Sequence, residues 1–147
     1  WNGHGVRNSD EKYIGQIAAN FVRGSGDMMG TAGFLNDNAD VTAPVYSYWP
    51  NDYGLYNMSG NVAEWTESYF YEGAYNLIHD MNPDVRYDAK DDDPPRMKRK
   101  VVRGGSWKDV GYYLQTGTRN WEFQDTSKSY IGFRTVLTFL GRSINDF

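Results

Sequence analysis

The sequence predicts a single α+β domain that is rich in loops and short strands and poor in helix. Its composition favours this class, because the 147-residue chain carries 16 glycines together with 5 tryptophans, 12 tyrosines and 7 phenylalanines. Residues 1–50 show neither the helical nor the strand period of apolar side chains. Glycine turns and large aromatic rings therefore predict loops and short strands that the rings hold together.

The elements can be placed in order along the chain. Residues 24–27 and 36–38 are turn-forming, as are residues 51–54, and residues 55–60 fit one short helical turn. Residues 62–70 alternate apolar and polar side chains, which predicts a half-buried strand. Further strand-like alternation follows at 101–102, 112–118 and 130–139.

Residues 71–100 form a long charged insertion loop in this prediction. Its residues 88–95 are acidic and rich in proline, and residues 96–100 are basic except for one methionine. A loop of this length in a compact domain is usually functional or partly disordered. A solvated charge run explains the aspartates at 91–93 more simply than a metal loop does. The basic residues are expected to pair locally or to face a partner rather than nucleic acid.

Composition also excludes several classes of function. The net charge is −4 and the pI about 5.1, so no global basic field attracts nucleic acid or an anionic membrane. No apolar run approaches the roughly 20 residues of a membrane span. The chain has no cysteine, which excludes disulfides, thiolate metal sites and thiol catalysis. Ser106 has no neighbouring histidine in the sequence that would activate it as a nucleophile.

The segment 53–65, YGLYNMSGNVAEW, is the most informative in the chain. It places an amide, two glycines, a second amide and a carboxylate close together, and oxygen ligands of this kind suit a hard cation such as calcium. The alternative is a glycine-rich turn before a strand, with no ion bound.

The same segment resembles the signature of the formylglycine-generating enzyme (sulfatase-modifying factor) domain family. Two further blocks of that family follow in order, VRGGSW at 102–107 and GFR at 132–134, with an arginine-bearing strand at 118–120 between them. The resemblance extends from about residue 19 to residue 140. It implies an irregular fold related to C-type lectin folds, with short antiparallel strands. It also implies that residues 1–147 are the C-terminal part of a single FGE-sulfatase-like domain whose N-terminal part lies outside this chain.

The resemblance implies two calcium sites. In the first, Asn57 and Glu64 would bind through their side chains, and Gly60 and Val62 through backbone carbonyls. In the second, the ligands would be the side chains of Asn20 and Asp37 and the carbonyls of Phe21 and Ala39. For the second site two alternatives stay open: a cluster of Asx-turns without an ion, or Asp40 in the place of Asp37.

Catalytic members of the family carry two cysteines five residues apart, shortly after the Gly-Gly-Ser-aromatic block. An ungapped count places Asp109 and Leu114 at these two positions. Neither side chain binds Cu(I) as a thiolate does. We therefore expect a pseudoenzyme without copper.

We predict structural roles for the large aromatic residues and the arginines at positions that match the family. Trp65, Trp107, Trp121 and Phe133 are predicted to fill the core. Arg103, Arg119 and Arg134 are predicted to make internal, bidentate hydrogen bonds.

Residues 19–30 and 87–107 resemble more narrowly the PorK/GldK- and GldJ-type gliding-motility lipoproteins. This implies a non-catalytic scaffold subunit of the type IX secretion and gliding machinery, at the periplasmic face of the outer membrane. The subunit would be held there by a lipid anchor outside this chain, would self-assemble, and would bind protein partners of the PorN/GldN type. Four basic residues are the leading candidates for partner contact: Arg96, Lys98, Arg99 and Lys100.

Two other classes of function remain as alternatives. One is a ligand-binding module of lectin-like fold that uses an aromatic cleft near Trp107 and Trp121. The other is a cofactor-independent enzyme of unknown chemistry.

Overall fold

The computed structural model describes residues 5–6, 11–12, 14, 16–22, 39, 41–77 and 84–137. Within these ranges lie four strands: β1 (Ala63–Tyr69), β2 (Arg99–Arg103), β3 (Asn120–Phe123) and β4 (Ile131–Gly132). Helix is limited to α1 (Ala74–Leu77) and to two single 3₁₀ turns, Pro95–Lys98 and Gly111–Leu114. The predicted class, α+β with long loops, short strands and little helix, is confirmed.

The four strands form one mixed sheet in the order β3-β2-β1-β4. β2 runs antiparallel to both β1 and β3, with Trp65 opposite Val102 and Val101 opposite Trp121. β1 and β4 are parallel, with Ala63 opposite Ile131. The expectation of antiparallel strands therefore holds for two of the three pairings and is wrong for β4.

The alternation of apolar side chains and the backbone angles explain which of the predicted strands and turns the structure contains. The predicted strand at 62–70 is confirmed as β1, which buries Ala63. The helical turn predicted at 55–60 is wrong, because Asn57 and Gly60 have φ angles of +50° and +78° and left-handed residues end a right-handed helix. The strand predicted at 112–118 is also wrong. There the chain forms the second 3₁₀ turn and then a bend.

The core lies where the segment 16–22 meets the second 3₁₀ turn. Ile17, Ala19, Phe21 and Leu114 are buried together, and Val101 and Val102 are buried in the middle of the sheet. The three tryptophans predicted as core plugs are half-buried. Phe133 is 78% exposed, so its assignment to the core was wrong. It follows β4 at the edge of the sheet, where no described element covers it.

The described part of the charged segment is fastened to β1. Tyr69 N donates to Val85 O at 2.7 Å. Lys100 Nζ donates to Tyr87 O at 2.8 Å, and Asp93 accepts from the Tyr87 hydroxyl at 3.0 Å. Residues 84–98 thus form a structured loop in which side chains replace a regular ladder, and the last two residues of the predicted insertion loop, Arg99 and Lys100, belong to β2. Within the described residues, no helix has the length and apolar character needed to cross a membrane.

Candidate functional site

The segment 53–65 turns sharply before it enters β1. Asn57, Gly60 and Asn61 all have left-handed backbone angles, with φ of +50°, +78° and +70°. A Cβ at Gly60 would lie 2.5 Å from Asn20 O, so only glycine fits there. The turn forms one wall of a cleft of about 350 Å³, which is also lined by Tyr46 and Phe133.

Three of the four predicted ligands of the first cation site line this cleft, namely Asn57, Val62 and Glu64. Asn57 Nδ2 donates to Val45 O at 2.9 Å, which fixes the amide and leaves its Oδ1 as an acceptor. Gly60 is buried, and its N–H donates to Gly104 O at 2.8 Å.

Glu64 is already paired in this structure. Arg134 donates from Nη2 to Oε1 at 2.7 Å, and from Nε to Oε1 at 3.0 Å and to Oε2 at 3.2 Å. A carboxylate offers about four lone-pair sites, so a cation that binds Glu64 would share the carboxylate with Arg134. The predicted internal, bidentate role of Arg134 is confirmed.

The second predicted cation site is described only in part. Asn20 and Phe21 are buried, Ala39 is half-buried, and Asp37 and Asp40 lie outside the described residues. The Asn20 side chain donates to Val41 O at 2.7 Å and to Asn61 Oδ1 at 3.3 Å. Its Nδ2 is therefore committed to the protein, and its Oδ1 is the atom that a cation would use.

Sequence reasoning missed Asn61, which links the two predicted sites. Its Oδ1 accepts from Ala43 N at 2.8 Å and its Nδ2 donates to Ala43 O at 3.1 Å, while its backbone N–H donates to Asn20 O at 2.8 Å. The residue is buried. Asparagine tolerates left-handed backbone angles, and its amide can replace a peptide group in hydrogen bonding. An asparagine after a glycine in this turn could therefore have indicated the role of Asn61.

The chemistry of the donors suits a hard cation. The predicted ligands are amide, carboxylate and carbonyl oxygens, which calcium prefers. Within the described part of the chain, no three histidine, aspartate or glutamate side chains converge, so no carboxylate-rich site is present there. A cation would therefore depend on amide and carbonyl oxygens as well as on Glu64.

Asp109 and Leu114, the two positions that the resemblance matches with the catalytic cysteines, both make structural contacts. Asp109 Oδ2 accepts from Ser106 N at 3.0 Å and from Ser106 Oγ at 2.6 Å, so the carboxylate closes the turn that follows the two glycines. Leu114 is 5% exposed and packs in the core. Beside them, Trp107 Nε1 is buried without a hydrogen-bond partner among the described residues.

The four basic residues predicted to meet a partner differ in accessibility. The Arg96 side chain is 62% exposed, whereas those of Arg99 and Lys100 are 11% and 16% exposed. Lys98 Nζ donates to Asp91 O at 3.0 Å. Local pairing, one of the two expectations for this segment, therefore accounts for most of these charges.

Two titratable groups of the structured loop have shifted pKa values. Hydrogen bonds from Ser68 and Arg86 lower the pKa of Asp84 below its ordinary value of 3.8, against a smaller opposing effect of burial. The hydrogen bond to Asp93 raises the pKa of Tyr87 above its ordinary value of 10.0. The charged Asp84 binds Ser68 of β1, and the neutral Tyr87 hydroxyl binds Asp93 within the loop, so each shift favours the charge state that makes its contact.

Comparison with known proteins places this geometry in context. Residues 4–139 match the family described as Sulfatase-modifying factor enzyme 1-like domain. The formylglycine-generating enzyme of Bos taurus is 33% identical over 129 residues, which are 86% of this chain and 31% of that protein. The inactive C-alpha-formylglycine-generating enzyme 2 of Bos taurus is 33% identical over 104 residues, or 67% of this chain and 27% of that protein.

Among solved structures, PvdO from Pseudomonas aeruginosa superposes with a TM-score of 0.60 at 26% identity, covering 86% of this chain and 41% of that one. The chain spans about a third of the length of the curated relatives that it matches. The residues that match the family, 4–139, include the turn at 53–65, the sheet and the block that holds Asp109 and Leu114.

Proposed function

Because the chain belongs to the sulfatase-modifying factor enzyme 1-like domain family, we propose that it is a non-catalytic scaffold derived from that enzyme fold. The observation that carries the proposal is the fate of the two thiol positions. Asp109 closes a turn through Ser106 and Leu114 fills the core, which supports a structural rather than a catalytic use of these two positions. A relative named as inactive supports the view that members of this family can lose the activity.

The enzyme assay is direct. The full-length protein, supplied with Cu(I) and oxygen, is incubated with a cysteine-containing sulfatase peptide, and the product is analysed by mass spectrometry. We expect no formylglycine, since the chain offers no thiolate to bind copper. Conversion of the peptide at a rate above that of free copper would refute the pseudoenzyme proposal.

We further propose that the scaffold belongs to the PorK/GldK or GldJ type of the type IX secretion and gliding machinery, at the periplasmic face of the outer membrane. The proposal rests on the resemblance of residues 19–30 and 87–107 to those lipoproteins. The structured loop at 84–98 gives it physical support, because a fixed loop loses less conformational entropy on assembly than a free one.

The experiment for this role uses the full-length protein in its native host. The tagged protein is extracted from outer membranes in mild detergent, the complex is sized, and the co-purifying proteins are identified. A large ring with a stoichiometric PorN/GldN-type partner is the expected result. A monodisperse monomer without partners in several mild detergents would overturn the scaffold role.

Calcium is proposed as a structural ligand of the scaffold. Asn57, Glu64, Gly60 and Val62 would hold one ion, and Asn20, Asp37, Phe21 and Ala39 a second. Bound calcium would tie loops that have few ladder hydrogen bonds of their own.

Metal analysis and thermal unfolding of the full-length protein test the calcium proposal. We expect copurifying calcium and a lower melting temperature in excess chelator. The Asn57→Gly variant should reduce the effect of the chelator, since glycine keeps the left-handed backbone but removes the amide oxygen. If the purified protein contains no calcium and its melting temperature is unchanged by chelator, the proposal is contradicted.

A ligand-binding module is the second candidate function, and one observation favours it. The cleft of about 350 Å³ carries two highly exposed aromatic side chains, Tyr46 and Phe133, beside Asn57 and Arg134. Aromatic faces next to amide and guanidinium groups suit a polar ligand with an apolar face. A glycan array, followed by Tyr46→Ala and Phe133→Ala variants of any binder, tests this candidate.

A further inference from the structure

A shallow pocket of about 360 Å³ lies beside the β3 edge of the sheet, away from the cleft described above. Its lining combines a carboxylate, two guanidinium groups and three apolar side chains: Glu72, Pro95, Arg96, Arg99, Trp121 and Phe123. Three separate segments supply these groups, namely the turn before α1, the start of the first 3₁₀ turn with β2, and β3.

Arg99 is fixed at the base of this pocket. Its guanidinium carbon lies 5.2 Å from the centre of the Phe70 ring and 4.9 Å from that of Trp121. Its Nε donates to Arg96 O at 3.3 Å, and the side chain is only 11% exposed. Stacking on two aromatic rings holds the guanidinium plane even when its ion-pair partner leaves.

Glu72 occupies the pocket by an exchangeable contact. Its two carboxylate oxygens accept from different arginines, Oε1 from Arg99 and Oε2 from Arg96, each at 3.1 Å. The Glu72 side chain is 59% exposed and that of Arg96 is 62% exposed. The Arg96–Glu72 pair is exposed on both sides and therefore weakly held, so an incoming carboxylate can displace Glu72 from Arg96 and then reach the less exposed Arg99.

We propose that this pocket binds a carboxylate side chain from an acidic segment of a partner protein, which takes the place of Glu72 between Arg96 and Arg99. Trp121, Phe123 and Pro95 receive an apolar side chain next to that carboxylate. Glu72 is then an internal competitor that occupies the site until the partner arrives. The inference rests on the proposed scaffold role and names the chemistry of one of its contacts.

The charge distribution favours an acidic peptide over nucleic acid. Lys98 and Lys100, which would extend the positive surface, donate to backbone carbonyls within the chain. Asp91 and Asp92 are exposed in the same loop. Nucleic acid needs several phosphate contacts along a basic surface, whereas this pocket offers two guanidinium groups with aromatic walls, which match one carboxylate and one apolar neighbour.

The test measures peptide binding by the full-length protein. The probes are a fluorescent peptide that alternates glutamate with phenylalanine and the same peptide with glutamine for glutamate. We expect the acidic peptide alone to bind. We also expect Glu72→Gln to tighten its binding about threefold or more, because an internal ion pair no longer has to be broken. Arg96→Gln should weaken binding by about tenfold.

Matched variants separate the pocket from net charge. Glu67→Gln removes an exposed acid outside the pocket and Lys90→Gln an exposed base, and both should leave the affinity within about twofold. The proposal is overturned if Glu72→Gln binds no more tightly than Glu67→Gln, or if the glutamine peptide binds as well as the acidic one. Phosphate-rich oligonucleotide binding that exceeds acidic-peptide binding would also overturn it.

Assembly in the native host distinguishes this proposal from the scaffold role. If the wild-type protein forms its ring and the Arg96→Gln variant forms it equally well with the same partner occupancy, the pocket assignment fails and the scaffold role stands. If the wild-type protein forms no complex, the scaffold role fails, whatever the peptide measurement gives.

Discussion

Arg134 and Glu64, 70 residues apart in the sequence, form a bidentate ion pair that fastens the segment after β4 to β1. The same guanidinium donates to Tyr56 O at 2.8 Å and so also holds the turn before β1. The two side chains are 33% and 22% exposed. One arginine therefore joins three segments at the cleft where the cation is proposed to bind.

Replacing Arg134 with lysine should destabilise the domain by about 1–3 kcal/mol, because lysine cannot reproduce the fork that meets both oxygens of Glu64 and the carbonyl of Tyr56. Urea unfolding measures the loss. The control is Arg96→Lys in the exposed pair with Glu72, which should unfold close to the wild type. Equal midpoints for the two variants would contradict the role of Arg134.

Asn61 should be among the least replaceable polar residues. Asn61→Gly keeps the left-handed backbone but leaves both backbone groups of the buried Ala43 without the partners that Asn61 provides. We expect a loss of about 2–4 kcal/mol in the free energy of unfolding. In the absence of calcium, Asn57→Gly removes one exposed bond to Val45 at a similar backbone angle, so its effect should be much smaller. A smaller loss at Asn61 than at Asn57 would refute this ranking.

Substitutions at Gly60 and Gly54 separate two costs of adding a Cβ atom: the strain of a left-handed backbone and the collision with neighbouring atoms. Both have φ near +75°, but a Cβ at Gly60 would meet Asn20 O at 2.5 Å, whereas nothing lies within 4 Å of one at Gly54. Gly54→Ala should cost about 1 kcal/mol from the left-handed angle alone. Gly60→Ala must also displace buried backbone and should cost several times more, with a melting temperature lower by about 10 °C or more. If the two variants melt together, the close approach of Gly60 to Asn20 is not present in solution.

Asp84 gives the domain a specific acid sensitivity. Because hydrogen bonds from Ser68 and Arg86 hold its folded pKa below the ordinary 3.8, the carboxylate contributes stability that is complete above pH 3.8. That contribution is lost as the pH falls through the lower, folded pKa. The free energy of unfolding of Asp84→Asn should therefore fall less between pH 5 and pH 2 than that of the wild type. Asp125→Asn, which removes an exposed acid elsewhere, is the charge control. If the free energy of unfolding falls equally between pH 5 and pH 2 in both variants, the role of Asp84 is refuted.

The fold class and β1 could be predicted from the sequence, because they depend on the order of motifs and on the local alternation of apolar and polar side chains. It missed the parallel pairing of β4, since two residues, Ile131 and Gly132, carry no signal of strand direction. It also misread residues 112–118, where tertiary packing of Leu114 into the core selects a 3₁₀ turn over the strand that alternation predicts. Tertiary contacts over long separations decided both cases.

The candidate site could be predicted in its residues but not in its pairings. The motif named Asn57 and Glu64, and the structure places both at one cleft. The sequence around residue 64 does not indicate that Arg134 binds this carboxylate. It also does not indicate that the Asn61 side chain, through hydrogen bonds, joins Asn20 to Ala43. Likewise the basic run at 96–100 suggested that Arg99 could meet a partner, whereas its position over the Phe70 and Trp121 rings withdraws it from solvent.

β3 is an edge strand of the sheet that the described residues form, and its own side chains bind the N–H groups on the outer side. Gln124 N donates to Lys98 O, and pairing in an antiparallel ladder alternates, so the N–H groups of Trp121 and Phe123 point away from β2. Asn120 Oδ1 accepts from Trp121 N at 2.9 Å, and Glu122 Oε1 accepts from Phe123 N at 3.1 Å. Exposed edges with unpaired donors recruit further strands, and these two side chains occupy the donors instead.

The Glu122→Ala variant should therefore self-associate, since Phe123 N–H becomes available to a second molecule. Glu122→Gln is the matched control: it removes the same charge but keeps a carbonyl oxygen at the position of Oε1, so it should stay as monodisperse as the wild type. Sedimentation velocity of the full-length protein at rising concentration measures the difference. Equal self-association of both variants would mean that charge, rather than occupancy of the edge donor, keeps β3 apart from other strands.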